Sequence, residues 1–279
     1  MDRTARRRAF SRFMKGLCGL CAVFSGGVLL VLLGYVLVKG IAYVNVEFLT
    51  TLPRPLGQPG GGMVNSFVGS AILVTLASVW AVAIGVGAGI FLAEYGTPRT
   101  CECVRLVADV LAGLPSIVIG IFGYTLLVRP MGTFSAIAGA FALGVIMLPI
   151  VARTTEESLR LVPRDLQEAA LALGSPRWRA ILRVVLPCAM AGVMTGVMLA
   201  VARIAGETAP LIFTALGNRF WNNGLTSPIA ALTLDIFQYA ISPYDQWHQQ
   251  AWAASFFLLA FVLTLNVGAR LVARRYAFR

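Results

Sequence analysis

The sequence predicts an all-α integral membrane protein with six transmembrane helices. Composition is the first reason. Of 279 residues, 58% are hydrophobic and 13% charged, and the mean hydropathy is +0.80. A soluble domain would carry about 25% charged residues. Patterning is the second reason, because the apolar residues gather into runs long enough to cross a bilayer. The third is an asymmetry in where the Lys and Arg residues fall between those runs.

The elements follow in order. Residues 1–15 form a basic N-terminus with Arg3, Arg6, Arg7, Arg8, Arg12 and Lys15. An apolar run at 16–38 follows. A signal peptide also starts basic and turns apolar, but its apolar region is about 7–15 residues long and ends at a small-residue cleavage site. This run would be about 33 Å long as a helix and is read as an uncleaved first span. Pro53–Gly62, PRPLGQPGGG, is poor in donors and rich in flexible backbone, so it is read as an extracytoplasmic loop. Apolar runs at 67–93, 104–128, 133–151, 187–215 and 250–269 complete a single transmembrane domain, 16–279. The longest segments between runs, 152–186 inside and 216–249 outside, leave no room for a soluble domain.

Orientation comes from the basic residues. With the N-terminus inside, the inner segments hold its six, Arg99 and Arg105, six from Arg153 to Arg183, and four from Arg270 to Arg279. The outer segments hold only Lys39, Arg54, Arg129 and Arg219, and Arg203 lies within a span. Both termini are therefore expected in the cytoplasm. The net charge of +11 does not indicate nucleic acid, because the basic residues punctuate apolar runs instead of coating a solvated surface. Cys18, Cys21, Cys101, Cys103 and Cys188 imply no disulfide framework, and Cys101-Glu-Cys103 lacks zinc-site spacing.

In the outer segment, the apolar stretch Pro228–Tyr239 is too short to span and is read as an interfacial or re-entrant helix. Phe220, Trp221, Tyr239, Tyr244 and Trp247 suit the headgroup region as an aromatic belt, with a docking surface as the alternative. In the inner segment, Leu166, Ala169, Ala170 and Leu173 share one face of a helix from Arg164 to Leu173. Gly174 caps it, and Ser175-Pro176 starts a second helix whose Trp178, Ile181, Leu182 and Val185 repeat the spacing. Pro187 marks re-entry into the membrane. Periodicity alone does not decide whether these helices lie on the bilayer or present a knob to a cytoplasmic partner.

The fifth span carries Arg203 and Glu207, four residues apart and so on one helix face. Each would cost about 2.5–3.5 kcal/mol on insertion scales. A self-neutralised pair that orients helices is one explanation. The functional one is that Arg203 lines a solute pathway, its guanidinium fork suiting an oxyanion, with Glu207 holding it or carrying a proton. Gly206 and Pro210 loosen the backbone there, which is tolerated where it lines a cavity. Gly192 and Gly196 form a GxxxG face for helix packing.

Other features point away from catalysis. The only lysines, Lys15 and Lys39, follow no phosphate-binding-loop pattern, so the chain is expected to have no ATPase of its own. Gly85-Val-Gly-Ala-Gly89 mimics a dinucleotide fingerprint but lies inside a span and is read as close helix packing. His248, with no motif partner, is read as solvated or interfacial. Glu94, at the inner end of the second span, is read as an ordinary helix-end residue, with contact to the coupling interface as the alternative.

Family resemblance resolves the inner segment. Glu168-Ala169-Ala170, three residues, Gly174, nine residues, then Val184-Val185-Leu186-Pro187 resembles the EAA loop of permease subunits of binding-protein-dependent ABC importers; Val184 stands where Ile is commoner. The resemblance implies a type I ABC importer permease (MetI-like) fold with cytoplasmic EAA coupling helices. It also implies that Glu168, Ala169, Ala170, Gly174, Leu186 and Pro187 serve contact with a separate ATPase. Ala202–Leu211 (ARIAGETAPL), Leu114–Val118 (LPSIV), Thr154–Glu157 (TTEE) and Ile229–Ala231 further resemble the PstA-type phosphate permeases, over roughly Asn65 to the C-terminus. That resemblance implies a phosphate pathway at Arg203, Glu207 and Thr208. The implied partners are a homologous PstC-type permease, a PstB-type ATPase dimer that uses ATP, and a PstS-type extracytoplasmic binding protein. No cofactor or metal is expected on this chain. The alternatives are a permease for sulfate or molybdate, and a non-transporting membrane sensor or scaffold.

Overall fold

The computed structural model describes residues 3–55 and 60–277; the middle of the Pro53–Gly62 loop and the extreme ends lie outside the described residues. Among the described residues, five helices are long and apolar enough to cross a membrane, and one bent pair brings the number to six if its two halves form one span. They are α1 (Arg3–Ile41), α3 (Val64–Tyr95), the pair α4 (Pro98–Gly113) and α5 (Ser116–Met131), α6 (Ala136–Arg160), α8 (Arg177–Ala205) and α11 (Asp245–Ala277). Short helices α2 (Val46–Thr50), α7 (Arg164–Ala172), α9 (Ala209–Thr214) and α10 (Leu232–Ala240) lie between them. The arginine-rich segments share one end of the bundle, taken below as the inner end.

The core lies where α3, α6, α8 and the outer segment meet. It is built from Leu73, Leu143, Ile146, Met147, Val151, Ile204, Leu211 and Leu234, all nearly inaccessible. Glycine allows the close approach. A Cβ on Gly85 would stand 2.9 Å from Val151, and one on Gly89 would stand 2.5 Å from Thr155. Gly192 and Gly196 press α8 onto Ser158 and Thr154 of α6 in the same way. These are the packing roles read from the sequence. By contrast, α1 is peripheral, with none of its most apolar stretch buried. It meets α11 near its outer end, where Tyr35 and Trp252 stack edge to face at 5.3 Å.

Several boundaries differ from the sequence reading. The third run, 104–128, is not one straight helix: α4 and α5 meet at 100°. Leu114 and Pro115 are both extended at the elbow (ψ 137° and 133°). A residue before proline is driven out of the helical region by the proline ring. The first helix begins at Arg3, so the basic N-terminus extends the span. Likewise α6 continues to Arg160, which makes Thr154–Glu157 helical, and leaves only 161–176 of the 152–186 segment outside the long helices.

Pro187 does not interrupt α8. A proline brings no donor and crowds the carbonyl four residues back. The turn ahead of it, Ile181–Val185, widens to π geometry and absorbs both problems. The same device, Tyr124–Val128, precedes Pro130 in α5. The fifth run breaks further along. α8 ends at Ala205, Gly206–Thr208 are irregular, and α9 resumes the path.

The outer segment folds back into the bundle. Ile229, Ala230 and Ala231 are at most 2% exposed. Gly69 of α3 faces the Ala230 carbonyl so closely that no side chain fits there. The Leu232 N–H donates to Ser70 Oγ at 2.7 Å, and Ser66 Oγ donates to the Asp235 carboxylate. Of the five residues read as an aromatic belt, Phe220, Trp221 and Tyr244 are exposed. Tyr239 is not; it is buried and stacked on Trp247 at 4.8 Å.

Candidate functional site

The inner loop is built by a single capped turn. Gly174 has φ +81°, its N–H donates to the Leu171 carbonyl at 2.9 Å, and the Ser175 N–H donates to the Ala170 carbonyl at 3.2 Å. This pattern closes α7 and requires a left-handed residue, hence glycine. Among the described residues, apart from its own chain neighbours, nothing lies within 4 Å of where a Gly174 Cβ would be. Glu168 and Ala169 are exposed and Ala170 is half-buried. The apolar residues of the loop also face outward: Leu166, Leu171 and Trp178 are about half-exposed, and Leu173 is 87% exposed. In the second helix, Ala180, Ile181 and Val185 turn inward, whereas Trp178 and Leu182 do not. Leu186 and Pro187 stand apart from this tip, on α8. Leu186 packs against a cluster of Leu159, Val185, Ala189 and Val193, and Pro187 is exposed.

Arg203 sits in the last turn of α8. Glu207 lies past the helix end, so the two do not meet as neighbours on one helix face. They are brought together by the turn at Gly206, whose N–H donates to the Arg203 carbonyl at 3.1 Å. Their closest approach, Arg203 Nε to Glu207 Oε1, is 3.7 Å: an ion pair without a hydrogen bond. The Arg203 side chain is 58% exposed and that of Glu207 18%. The Glu207 carbonyl accepts from Thr233 Oγ1 at 3.0 Å, which ties this turn to the outer segment. Thr208 is half-buried, and its carbonyl accepts from Leu211 and Ile212.

Two irregular turns converge here. Arg203 lines a small cavity with Leu114 and Ser116 of the α4–α5 elbow and with Ile146 and Ile150 of α6. Gly120 of α5 packs on Pro210 Cα, where a Cβ would come within 2.7 Å. The LPSIV and GETAPL stretches are thus assembled side by side although residues 119–205 separate them in sequence. Beside Arg203, α4 and α5 present Val107, Val110, Leu114, Ile117 and Ile121 to the exterior. A guanidinium facing lipid would be costly. The exposed flank of Arg203 is therefore a surface for water or protein.

Sequence reasoning missed an ion-pair cluster on the inner side. Glu156 is nearly buried and receives Arg105 at 2.6 Å and Arg160 at 2.9 Å, with Arg153 at 3.7 Å. Arg153 also holds Asp109 through three bonds of 2.6, 2.7 and 3.2 Å, so the cluster ties α4 to α6. The 153/156/160 spacing was a legible signal, since residues three and four apart share a helix face. The partners on α4 were not. Glu94 does reach the inner loop, through Gln167 and Arg177.

The chain's relatives are consistent with this geometry. Residues 85–278 match the family model for the binding-protein-dependent transport system inner membrane component. The phosphate transport system permease protein PstA of Yersinia pestis is 46% identical, over 84% of this chain and 80% of its own length. Its namesake in Xylella fastidiosa (strain Temecula1) is 49% identical over 83% and 81%, and that of Haemophilus influenzae 42% over 95% and 94%. Among solved structures, an inward-facing MetNI methionine ABC transporter superposes with a TM-score of 0.63 at 18% identity, covering 76% of this chain and 95% of that one. A bacterial alginate ABC transporter in complex with a periplasmic protein superposes at 0.65 and 11% identity, covering 98% and 96%. The chain belongs to the family of binding-protein-dependent transport system inner membrane components.

Proposed function

We propose that this chain is a permease subunit of an ATP-driven importer that moves inorganic phosphate inward across the bacterial inner membrane. The observation that carries the reading is one helix. α8 runs unbroken from Arg177, in the exposed inner loop, to the turn that holds Arg203. At 1.5 Å per residue, that is about 39 Å from the base of the exposed inner loop to Arg203. The names of the relatives support phosphate as the solute.

In this reading a cytoplasmic ATPase dimer docks on Glu168, Ala169, Ala170 and Gly174, with the exposed Leu166, Leu171 and Leu173 buried in the contact. ATP is used there and not on this chain, which binds no cofactor. A second, homologous permease covers the α4–α5 face, so the pathway runs between the two subunits and Arg203 points into it. An extracytoplasmic binding protein delivers phosphate at the outer face, and both termini lie in the cytoplasm. Arg203 offers the anion a charged, planar donor fork. Glu207 holds that fork or, when protonated, donates to the anion, and Thr208 lies beside it. ATP binding draws the two ATPases together and favours the outward-open state; hydrolysis restores the inward-open one. The solute is moved by differential binding of ATP to one conformation.

The test is Arg203→Gln in the assembled complex, read as phosphate uptake into proteoliposomes. Uptake is expected to fall at least about 100-fold, the loss of one charged partner, with the complex still assembled. Normal uptake would remove Arg203 from the pathway. Replacing Arg203 and Glu207 together by leucine separates the alternatives, because transport that survives the double change marks the pair as structural.

A further inference from the structure

We propose that the inner end of α3, Glu94 and Tyr95, is a positioning hub that clamps the coupling loop to the membrane body, so that displacement of the loop drives α3 as well as α8. The proposal rests on the reading of that loop as the ATPase contact.

Both helices of the loop are gripped by these two residues. From α7, Gln167 Nε2 donates to Glu94 Oε2 at 2.7 Å. From the other side of the Gly174 turn, the Arg177 guanidinium donates to the Glu94 carbonyl and lies over the Tyr95 ring, 5.1 Å from its centroid. The end of α3 is suited to this. Its last turn, Phe91–Tyr95, is a π-turn closed by the Gly96 N–H on the Phe91 carbonyl at 2.8 Å. A helix C-terminus leaves carbonyls without intrahelical donors and attracts cations. Arg177 answers both needs.

Beyond Glu94, α3 is locked to α6. Gly89 and Gly85 bring the backbones so close that Thr155 and Val151 fill the space a Cβ would need. Sliding α3 along α6 would require repacking both contacts. A displaced loop therefore has two routes into the membrane. One is the backbone of α8, which ends at Arg203. The other is the side-chain route through Glu94 and Tyr95 into α3 and α6, whose Ile146 and Ile150 also line the Arg203 cavity. Only the second route can be cut without altering the α8 backbone.

The experiment measures phosphate taken up per ATP hydrolysed by the complete complex in proteoliposomes, for wild type, Glu94→Ala, Gln167→Leu and Glu94→Gln. Glu94→Ala is expected to lower that ratio by about threefold to tenfold, the effect of losing one partly exposed hydrogen bond. Gln167→Leu, which removes the same bond from the loop side, should lower it to a similar extent. Glu94→Gln should restore it, because the amide oxygen still accepts from Gln167. A merely structural role would reduce assembly and leave the ratio of the assembled fraction unchanged. An unchanged ratio in Glu94→Ala or Gln167→Leu, or a Glu94→Gln value as low as that of Glu94→Ala, overturns the proposal. Failure of the underlying reading is distinct: the wild-type complex itself would then show no ATP-dependent uptake.

Discussion

The outer segment, 216–249, and the inner loop, 161–176, are both short, apolar connections between long helices, yet they end up in opposite situations. In the outer segment Ile229, Ala230, Ala231 and Leu232 are almost completely buried by the chain's own helices. In the inner loop Leu161, Leu166, Leu171 and Leu173 are all exposed. The outer segment reaches its partner because Gly69 clears a slot for the Ala230 carbonyl and Ser70 meets the Leu232 N–H. The inner loop is held at its base, by Glu94 and Tyr95, while at its tip an added Gly174 Cβ would meet none of the described residues beyond its chain neighbours. The contrast separates a stretch whose apolar residues stabilise this fold from a loop whose leucines the described residues leave uncovered.

Substitutions at glycines of the two regions sharpen that contrast. Gly69→Val would push a branched side chain into the Ala230 carbonyl and Ile229, which cannot retreat without unseating the outer segment. A loss above about 3 kcal/mol is expected, read as collapse of the monodisperse detergent-solubilised protein on gel filtration. Survival of the folded protein would mean that the slot is adaptable. Gly174→Val has open space but the wrong backbone, at φ +81°. About 1–2 kcal/mol of strain is expected, confined to the loop: the chain should fold normally while capture of the ATPase falls. Gly174→Asn should have the smallest effect, because asparagine tolerates the left-handed region and meets no neighbour in this chain. If it disrupts ATPase capture as fully as valine, contact at the glycine itself matters more than the turn.

Much of the fold was legible because membrane helices announce themselves through length and apolarity. The glycines were legible too, since Gly85, Gly89, Gly192 and Gly196 all pack as small residues in a membrane should. The elbow at Leu114-Pro115 was present in the sequence as a residue forced extended by the proline after it, but an unbroken apolar run masked it. Pro187 misled in the opposite direction: a proline is a strong break signal, and a π-turn let the helix pass through. Arg203 and Glu207 looked like helical neighbours because the spacing is right, although Gly206 ends the helix between them. Glu156 could not be read fully from the sequence, because its partner Arg105 lies 51 residues away on the half of a span whose bend was unseen. For the inner loop, periodicity showed an apolar face, but it cannot say whether that face meets this chain, lipid or another protein.

On the proposed function, an ATPase grips the chain at the tip of the inner loop. Leu173 is the sharpest probe, being 87% exposed and next to Gly174, where an added Cβ would meet none of the described residues beyond its chain neighbours. Leu173→Asp should therefore cost the isolated permease almost nothing, and its melting temperature should match wild type. Co-purification of the ATPase with the tagged permease should fall at least about tenfold, as for an apolar anchor replaced by a charge. Undiminished co-purification, with uptake intact, would contradict the account.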